Sequence, residues 1–126
     1  LSFSNFGNPI RPSSKNIREA VNILIERKVD FEFDGEMTAE VALDYDLIKE
    51  NYPFCRLSDS ANVLIMPGLL SANISFKLLQ SLGGGSVLGP LMIGGEKPFQ
   101  IVQMGSSVSD IVNSASVAAY NSIYSK

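Results

Sequence analysis

Histidine is absent from this sequence, and cysteine occurs once, at Cys55. Zinc sites built on histidine or paired cysteines, Ser-His and Cys-His nucleophile pairs, and disulfides within the chain are excluded on that ground. A lone cysteine suits a reducing cytoplasm, and a cytoplasmic chain is the expectation. Long apolar runs are missing too. None approaches the roughly 18 residues needed to cross a bilayer, so no membrane partner is expected. There is no basic run, and with 10 Lys and Arg against 13 Asp and Glu the net charge is −3, which speaks against nucleic acid as a partner. What is present, 45 % apolar and 18 % charged residues in a chain of 126, suffices for one ordinary core and excludes disorder, collagen and coiled coil.

Charge is also scarce in one half. Residues 1–60 hold 7 basic and 11 acidic side chains, whereas residues 61–126 hold 3 and 2. Strands covered on both sides and an interface would explain this, and so would a surface rich in Ser, Asn and Gly. Residue 1 is Leu, and Leu1 to Phe6 already reads as an apolar, strand-like run with no charged leader. The chain is therefore expected to be part of a longer one.

Periodicity divides the rest. From Ser13 to Lys28, Ile17, Ala20, Val21, Leu24 and Ile25 have the spacing of a half-buried helix, with Ser13 or Ser14 able to cap it. Val29, Phe31 and Phe33 alternate as in a strand closed by Asp34-Gly35. Thr38 opens a second helix to about Asn51, which Pro53 stops. Asn62 to Met66 reads as a buried parallel strand ending at Pro67-Gly68. A helix from about Ser71 to Leu82 follows and is ended by Gly83-Gly84-Gly85. Two short strands, near Val87 to Ile93 and Phe99 to Val102, precede a last helix from Val108 to about Tyr124. The alternation predicts an α/β domain with a mainly parallel sheet and helices on both faces.

In such a sheet, ligands bind where a strand's carboxyl end leads into a helix whose free N–H groups attract anions. The loop from Pro67 to Asn73 has that position, with Lys77 one turn into the helix. Ser71, Asn73 and Lys77 are thus candidate phosphate or cofactor-binding residues; equally, Ser71 or Asn73 caps an ordinary turn and Lys77 faces solvent. The sequon Asn73-Ile74-Ser75 carries no meaning in a cytosolic chain. Gly83 to Gly85 followed by Ser86 lies after a helix and before a strand, the reverse of a P-loop, and reads as a helix stop. Asp34, Glu36 and Glu40 form a carboxylate cluster that exposed turn residues explain better than a metal or acid–base site. Ser107 and Asp110 have the spacing of a capping box, and a carboxylate at Asp110 could also act as a base. No metal-binding residues are expected.

Taken together, Leu1-Ser2-Phe3-Ser4-Asn5-Phe6-Gly7, Asp34-Gly35-Glu36-Met37 with Ala42-Leu43, and Ala61-Asn62-Val63-Leu64-Ile65-Met66-Pro67 form an ordered series with later matches. The series continues through Ala72-Asn73-Ile74-Ser75-Phe76-Lys77, Gly89-Pro90, Lys97-Pro98 and Gly105 to Asn113. The chain in this respect resembles the carboxyl-terminal part of the phosphate acetyl/butyryltransferase family. That resemblance implies an isocitrate/isopropylmalate dehydrogenase-like phosphotransacetylase fold of two α/β domains with the active site between them. Residues 1–94 would belong to the second domain, and residues 95–126 would supply a strand and helix returning to the first.

Active members of the family carry Ser-Arg before the Gly that aligns with Gly105, where this chain has Gln103-Met104. Asp110 matches the family's catalytic Asp, but a carboxylate lacking the cation that offsets phosphate charge is a weak site for phosphoryl substrates. With Met at that position, and with the wording Asn73 to Lys77 and Lys97 to Val102, the chain is similar to the transacetylase-like tail of bacterial NADP-dependent malic enzymes. The resemblance implies a regulatory and oligomerisation domain that binds acetyl-CoA, forms a homo-oligomer, and works beside a missing amino-terminal part holding NADP and a divalent metal. The chain itself would then need no cofactor and would not oxidise malate. The alternative is a phosphate acetyltransferase making acetyl-CoA and phosphate from acetyl phosphate and CoA; a third reading is a scaffold with no ligand.

Overall fold

Apolar residues three and four apart wind Lys15–Arg27 into α1, entered through a 3-10 turn at Pro12–Ser14. Lys28 ends it in the left-handed conformation (φ 48°), its N–H bonded to the Ile25 carbonyl at 3.2 Å. Of the predicted stripe, Ile17, Val21 and Leu24 are half-buried, while Ala20 and Ile25 are exposed. The expected serine cap is not made. Ser14 stands at the N-cap position, but its buried hydroxyl meets those of Ser2 at 2.9 Å and Ser4 at 3.3 Å instead of a helix N–H.

One helix was expected from Thr38 to Asn51, and there are two, α2 (Ala39–Leu43) and α3 (Tyr45–Asn51). Asp44 breaks the run in an extended conformation (φ −120°, ψ 99°), and its carboxylate accepts the Leu47 N–H at 3.0 Å. A short acidic side chain gains more as a cap than inside a helix. Thr38 caps α2 by accepting the Val41 N–H, and α3 closes at Tyr52, before Pro53. Met37, Val41, Ala42 and Ile48 are buried here, with Phe6, Leu47, Tyr52 and Leu64 packed against them. This is the chain's core.

The structure is a computed structural model that describes residues 1–124 and falls into two units, Leu1–Lys77 and Leu78–Lys126. In the first, the opening residues run beside the Glu36 segment: Ser2 N–H bonds Met37 O at 2.8 Å and Phe6 N–H bonds Glu36 O at 2.7 Å. Asn5 and Asn8 then pair as an antiparallel bridge around Phe6 and Gly7, whose φ angles of 49° and 81° have the signs of a type I′ turn.

The unit boundary falls within α4 (Leu69–Leu82). The helix ends before Gly83, whose N–H still bonds the Leu79 carbonyl at 2.8 Å and where a Cβ would meet that carbonyl oxygen at 2.5 Å, so the turn that closes α4 requires glycine. In the second unit no described residue is buried, and α5 (Val108–Tyr124) is its longest element. Between the helices, the Gln100 amide accepts the Met92 N–H at 2.9 Å and donates to the Met92 carbonyl at 3.2 Å.

The segments expected as strands, at 1–6, 29–33, 62–66, 87–93 and 99–102, form no ladder among the described residues beyond the Asn5–Asn8 bridge. A strand buried on both faces needs neighbours on both edges. Beside the 62–66 stretch lies only the start of the chain, whose Leu1 amino group donates to the Ile65 carbonyl, and Val63 and Ile65 are 70 % and 73 % exposed. No helix among the described residues is long and apolar enough to cross a membrane.

Because Ile48 is 2 % exposed and central to the core, Ile48→Ala should cost about 2–5 kcal/mol. Ile23→Ala on the exposed side of α1 should stay within roughly 0.5 kcal/mol of the parent. Urea titration followed by circular dichroism checks both values.

Candidate functional site

The loop into α4 has its polar groups partly engaged with its own backbone. Gly68 O accepts both the Ala72 N–H at 3.0 Å and the Ser71 hydroxyl at 2.8 Å. Asn73 and Lys77, four residues apart and both exposed, share one face of the helix, and the Lys77 ammonium lies 5.4 Å from the centre of the Phe76 ring. Ser71 is off that face. Because α4 begins at Leu69 and not near Ser71, Lys77 lies more than two turns into the helix, about 12 Å along its axis, instead of the one turn expected, and Asn73 is the nearer of the two to the N-terminus.

Asp110 belongs to the second unit. Its carboxylate Oδ2 accepts the Ser107 N–H at 2.9 Å and the Ser107 hydroxyl at 2.7 Å, and the Ser107 hydroxyl oxygen accepts the Asp110 N–H at 3.2 Å. The capping box is thus closed in both directions. The Ser107 hydroxyl, and then its N–H, hold the Asp110 carboxyl below the usual carboxylate range, which makes it a weaker base. Just before it, the Ser106 N–H bonds back to Gln103 O at 3.1 Å, and Gly105 adopts φ 88°. That is the glycine position of a type II turn. Met104 sits at the preceding corner, wholly exposed.

The carboxylate cluster does not hold together as a site. Glu40 is exposed on α2. Asp34 accepts the Gly35 and Arg56 N–H groups at 2.8 and 2.7 Å. Glu36, expected in an exposed turn, is 1 % exposed and is the most enclosed acid of the first unit. Its Oε1 accepts from Arg18 Nη1 at 3.0 Å and from the Ser4 hydroxyl at 3.3 Å, and its Oε2 lies 3.5 Å from the Ser2 hydroxyl. Burial pushes its pKa up, but hydrogen bonding from Ser14, the Arg18 charge and bond, and Ser4 outweigh this and lower it. The sequence does carry a signal for this burial: Ser2 and Ser4, two apart in an extended run, turn both hydroxyls to one side. No group of three or more Cys, Asp or Glu among the described residues could hold a metal ion.

Sequence reasoning also missed a groove in the first unit. About 1000 Å³ opens between the α1 stripe (Ile17, Val21, Leu24) and the Leu64–Met66 stretch. Glu32, Asp34 and Asp59 line it, and no Lys or Arg does. A polyanion such as the CoA phosphates does not fit such a lining.

Compared with known proteins, residues 1–119 match the family described as phosphate acetyl/butaryl transferase. The chain is 55 % identical over 121 residues to the NADP-dependent malic enzyme of Rhizobium meliloti (strain 1021), covering 96 % of this chain and 16 % of that protein. It is 47 % identical over 133 residues to the probable NADP-dependent malic enzyme of Rickettsia prowazekii (strain Madrid E), covering 98 % and 17 %. It is 39 % identical over 125 residues to the phosphate acetyltransferase of Treponema pallidum (strain Nichols), covering 97 % and 37 %. The chain therefore spans about a sixth of the malic enzymes it matches and little more than a third of the acetyltransferase.

The lowered pKa of Glu36 fixes a sign. Stability from its ionised form is fully present above the unfolded value, near 4.3, and is lost as pH falls through the lower folded value. The urea midpoint should accordingly drop from about pH 5 downward. Glu36→Gln should lower the unfolding free energy at pH 7 by roughly 1–3 kcal/mol and flatten this acid limb; urea titrations from pH 7 to pH 3 check both effects.

Proposed function

The chain belongs to the phosphate acetyl/butaryl transferase family, and on that premise we propose that it is the phosphotransacetylase-like regulatory and oligomerisation part of an NADP-dependent malic enzyme, binding acetyl-CoA without transferring acetyl groups. One observation carries this reading. The turn before α5 presents Gln103 and a wholly exposed Met104 where a phosphate-transferring site of this family would need Ser and Arg. The adjacent Asp110 carboxylate has its Oδ2 engaged in the capping box and is depressed in basicity. Without a cation to offset phosphate charge, the electrostatic basis of transfer is missing. The second reading, a phosphate acetyltransferase, is favoured by the 39 % identity to the Treponema pallidum protein and disfavoured by Met104.

In this proposal the extended segments of the chain are strands of a mainly parallel α/β sheet. Residues 1–94 belong to one domain of the longer protein and residues 95–126 return to another. Asn73 and Lys77, aided by the N–H groups at the start of α4, hold the anionic end of acetyl-CoA, and Ser71 shapes the loop. NADP and a divalent metal belong to other parts of the polypeptide, which works in the cytoplasm. The exposed apolar residues of α5, among them Ile111, Val112 and Ile123, support a role in self-association. Acetyl-CoA can shift malate turnover only by binding two arrangements of the protein unequally.

The test is malate-dependent NADPH formation by the full-length protein, with and without acetyl-CoA. Deleting the part that corresponds to this chain should leave malate turnover and abolish the response, and Lys77→Ala should weaken the response without lowering basal turnover. Acetyl phosphate and CoA should give no acetyl-CoA at an enzymatic rate, about 1 per second or above. An unchanged response after deletion refutes the regulatory role, and acetyl-CoA formation at that rate favours the acetyltransferase.

A further inference from the structure

Residues 56–60 are held by side chains instead of main chain. Both ends of the segment are anchored beside the core: the Cys55 N–H bonds the Tyr52 carbonyl at 2.9 Å, and the Ala61 N–H bonds the Ala42 carbonyl at 2.8 Å. Between these anchors no main-chain group of 56–60 has a main-chain partner among the described residues. In place of such partners, Asp34 Oδ2 accepts the Arg56 N–H at 2.7 Å, and Glu32 Oε2 accepts both the N–H and the hydroxyl of Ser58 at 2.9 Å. Arg56 also reaches over the Phe33 ring, 5.9 Å from its centre. Three consecutive residues, Glu32, Phe33 and Asp34, thus grip the segment, and Leu57 alone tucks in against the core.

The grip is made in water. Glu32, Arg56 and Ser58 are exposed, so their bonds compete with solvent and open at small cost. Leu57, Asp59, Ser60 and Ala61 form one wall of the groove of about 1000 Å³ beside α1. We propose that residues 56–60 are a strap, latched by Glu32 and Asp34 and pivoting at Cys55 and Ala61, which swings outward as a unit and widens this groove while Met37, Val41, Ala42 and Ile48 stay packed. Two carboxylates on one extended stretch then set how often the groove opens. The strap goes beyond the acetyl-CoA reading and does not depend on it.

Trypsin reads the opening directly, because the Arg56–Leu57 bond lies inside the strap and a protease accepts only a segment that has come away from the fold. In the full-length protein, Glu32→Ala removes both Ser58 bonds and leaves the cut sequence unaltered, so the initial rate of scission after Arg56 should rise at least about fivefold. Scission after Arg27, at the end of α1, should keep its rate. Hydrogen exchange should follow the same division: the Ser58 amide exchanges faster in Glu32→Ala, and the Tyr52 amide, bonded to the Ile48 carbonyl at 2.7 Å, does not. An unchanged rate after Arg56, absence of scission in both proteins included, overturns the proposal. An equal rise after Arg27 or at the Tyr52 amide also overturns it, since Glu32 would then support the whole unit and not a strap.

Discussion

A single buried carboxylate organises the first unit. Taking Glu36 out of water costs several kcal/mol unless cations and hydroxyls replace the lost hydration, and its donors come from three separate stretches: Ser2 and Ser4, the Ser14 turn, and Arg18 on α1. Satisfying it brings the start of the chain, the entrance of α1 and the Asp34–Met37 stretch to one place. The next residue, Met37, turns the other way into the apolar core with Val41, Ala42 and Ile48. Polar and apolar centres are thus one residue apart, and the alternation of an extended backbone keeps them separate.

The second unit is organised by short-range bonds instead. The Ser107–Asp110 box, the Gln103–Ser106 turn and the Gln100–Met92 pair each close within eight residues. Local bonds of this kind define backbone shape but cover little apolar surface, which is why Leu82, Ile93, Met104 and Val108 remain exposed. For Asp110 the same economy has a chemical side: the N–H and hydroxyl of Ser107, both on Oδ2, lower the basicity of the carboxylate they engage.

Local features were legible in the sequence. The spacing of Ile17, Val21 and Leu24 gave α1; Gly83 and Pro53 marked where helices end; the Ser-x-x-Asp pattern placed the box at Ser107. What was missed depends on partners far along the chain. Asp-Gly-Glu reads as a surface turn, and nothing near Glu36 announces that serines 34, 32 and 22 positions earlier will enclose it. Ser14 looked like a cap because its neighbours are helical, but its hydroxyl serves the same distant cluster. The break at Asp44 was readable in principle, since Asp three residues before Leu47 is a cap signal, but the apolar period carries across it. The site residues were legible as positions only: Asn73 and Lys77 share a face, as four-residue spacing demands, while the backbone bond of Ser71 depends on loop geometry.

The Gln100 side chain imitates main chain. An amide that offers one acceptor and one donor to the two main-chain groups of Met92 is a peptide unit in miniature, so at that residue the chain carries its own substitute for a neighbouring strand. Such a substitute blunts an edge that would otherwise recruit foreign backbone. Met92 is thereby guarded against indiscriminate pairing, in the way a cap guards a socket.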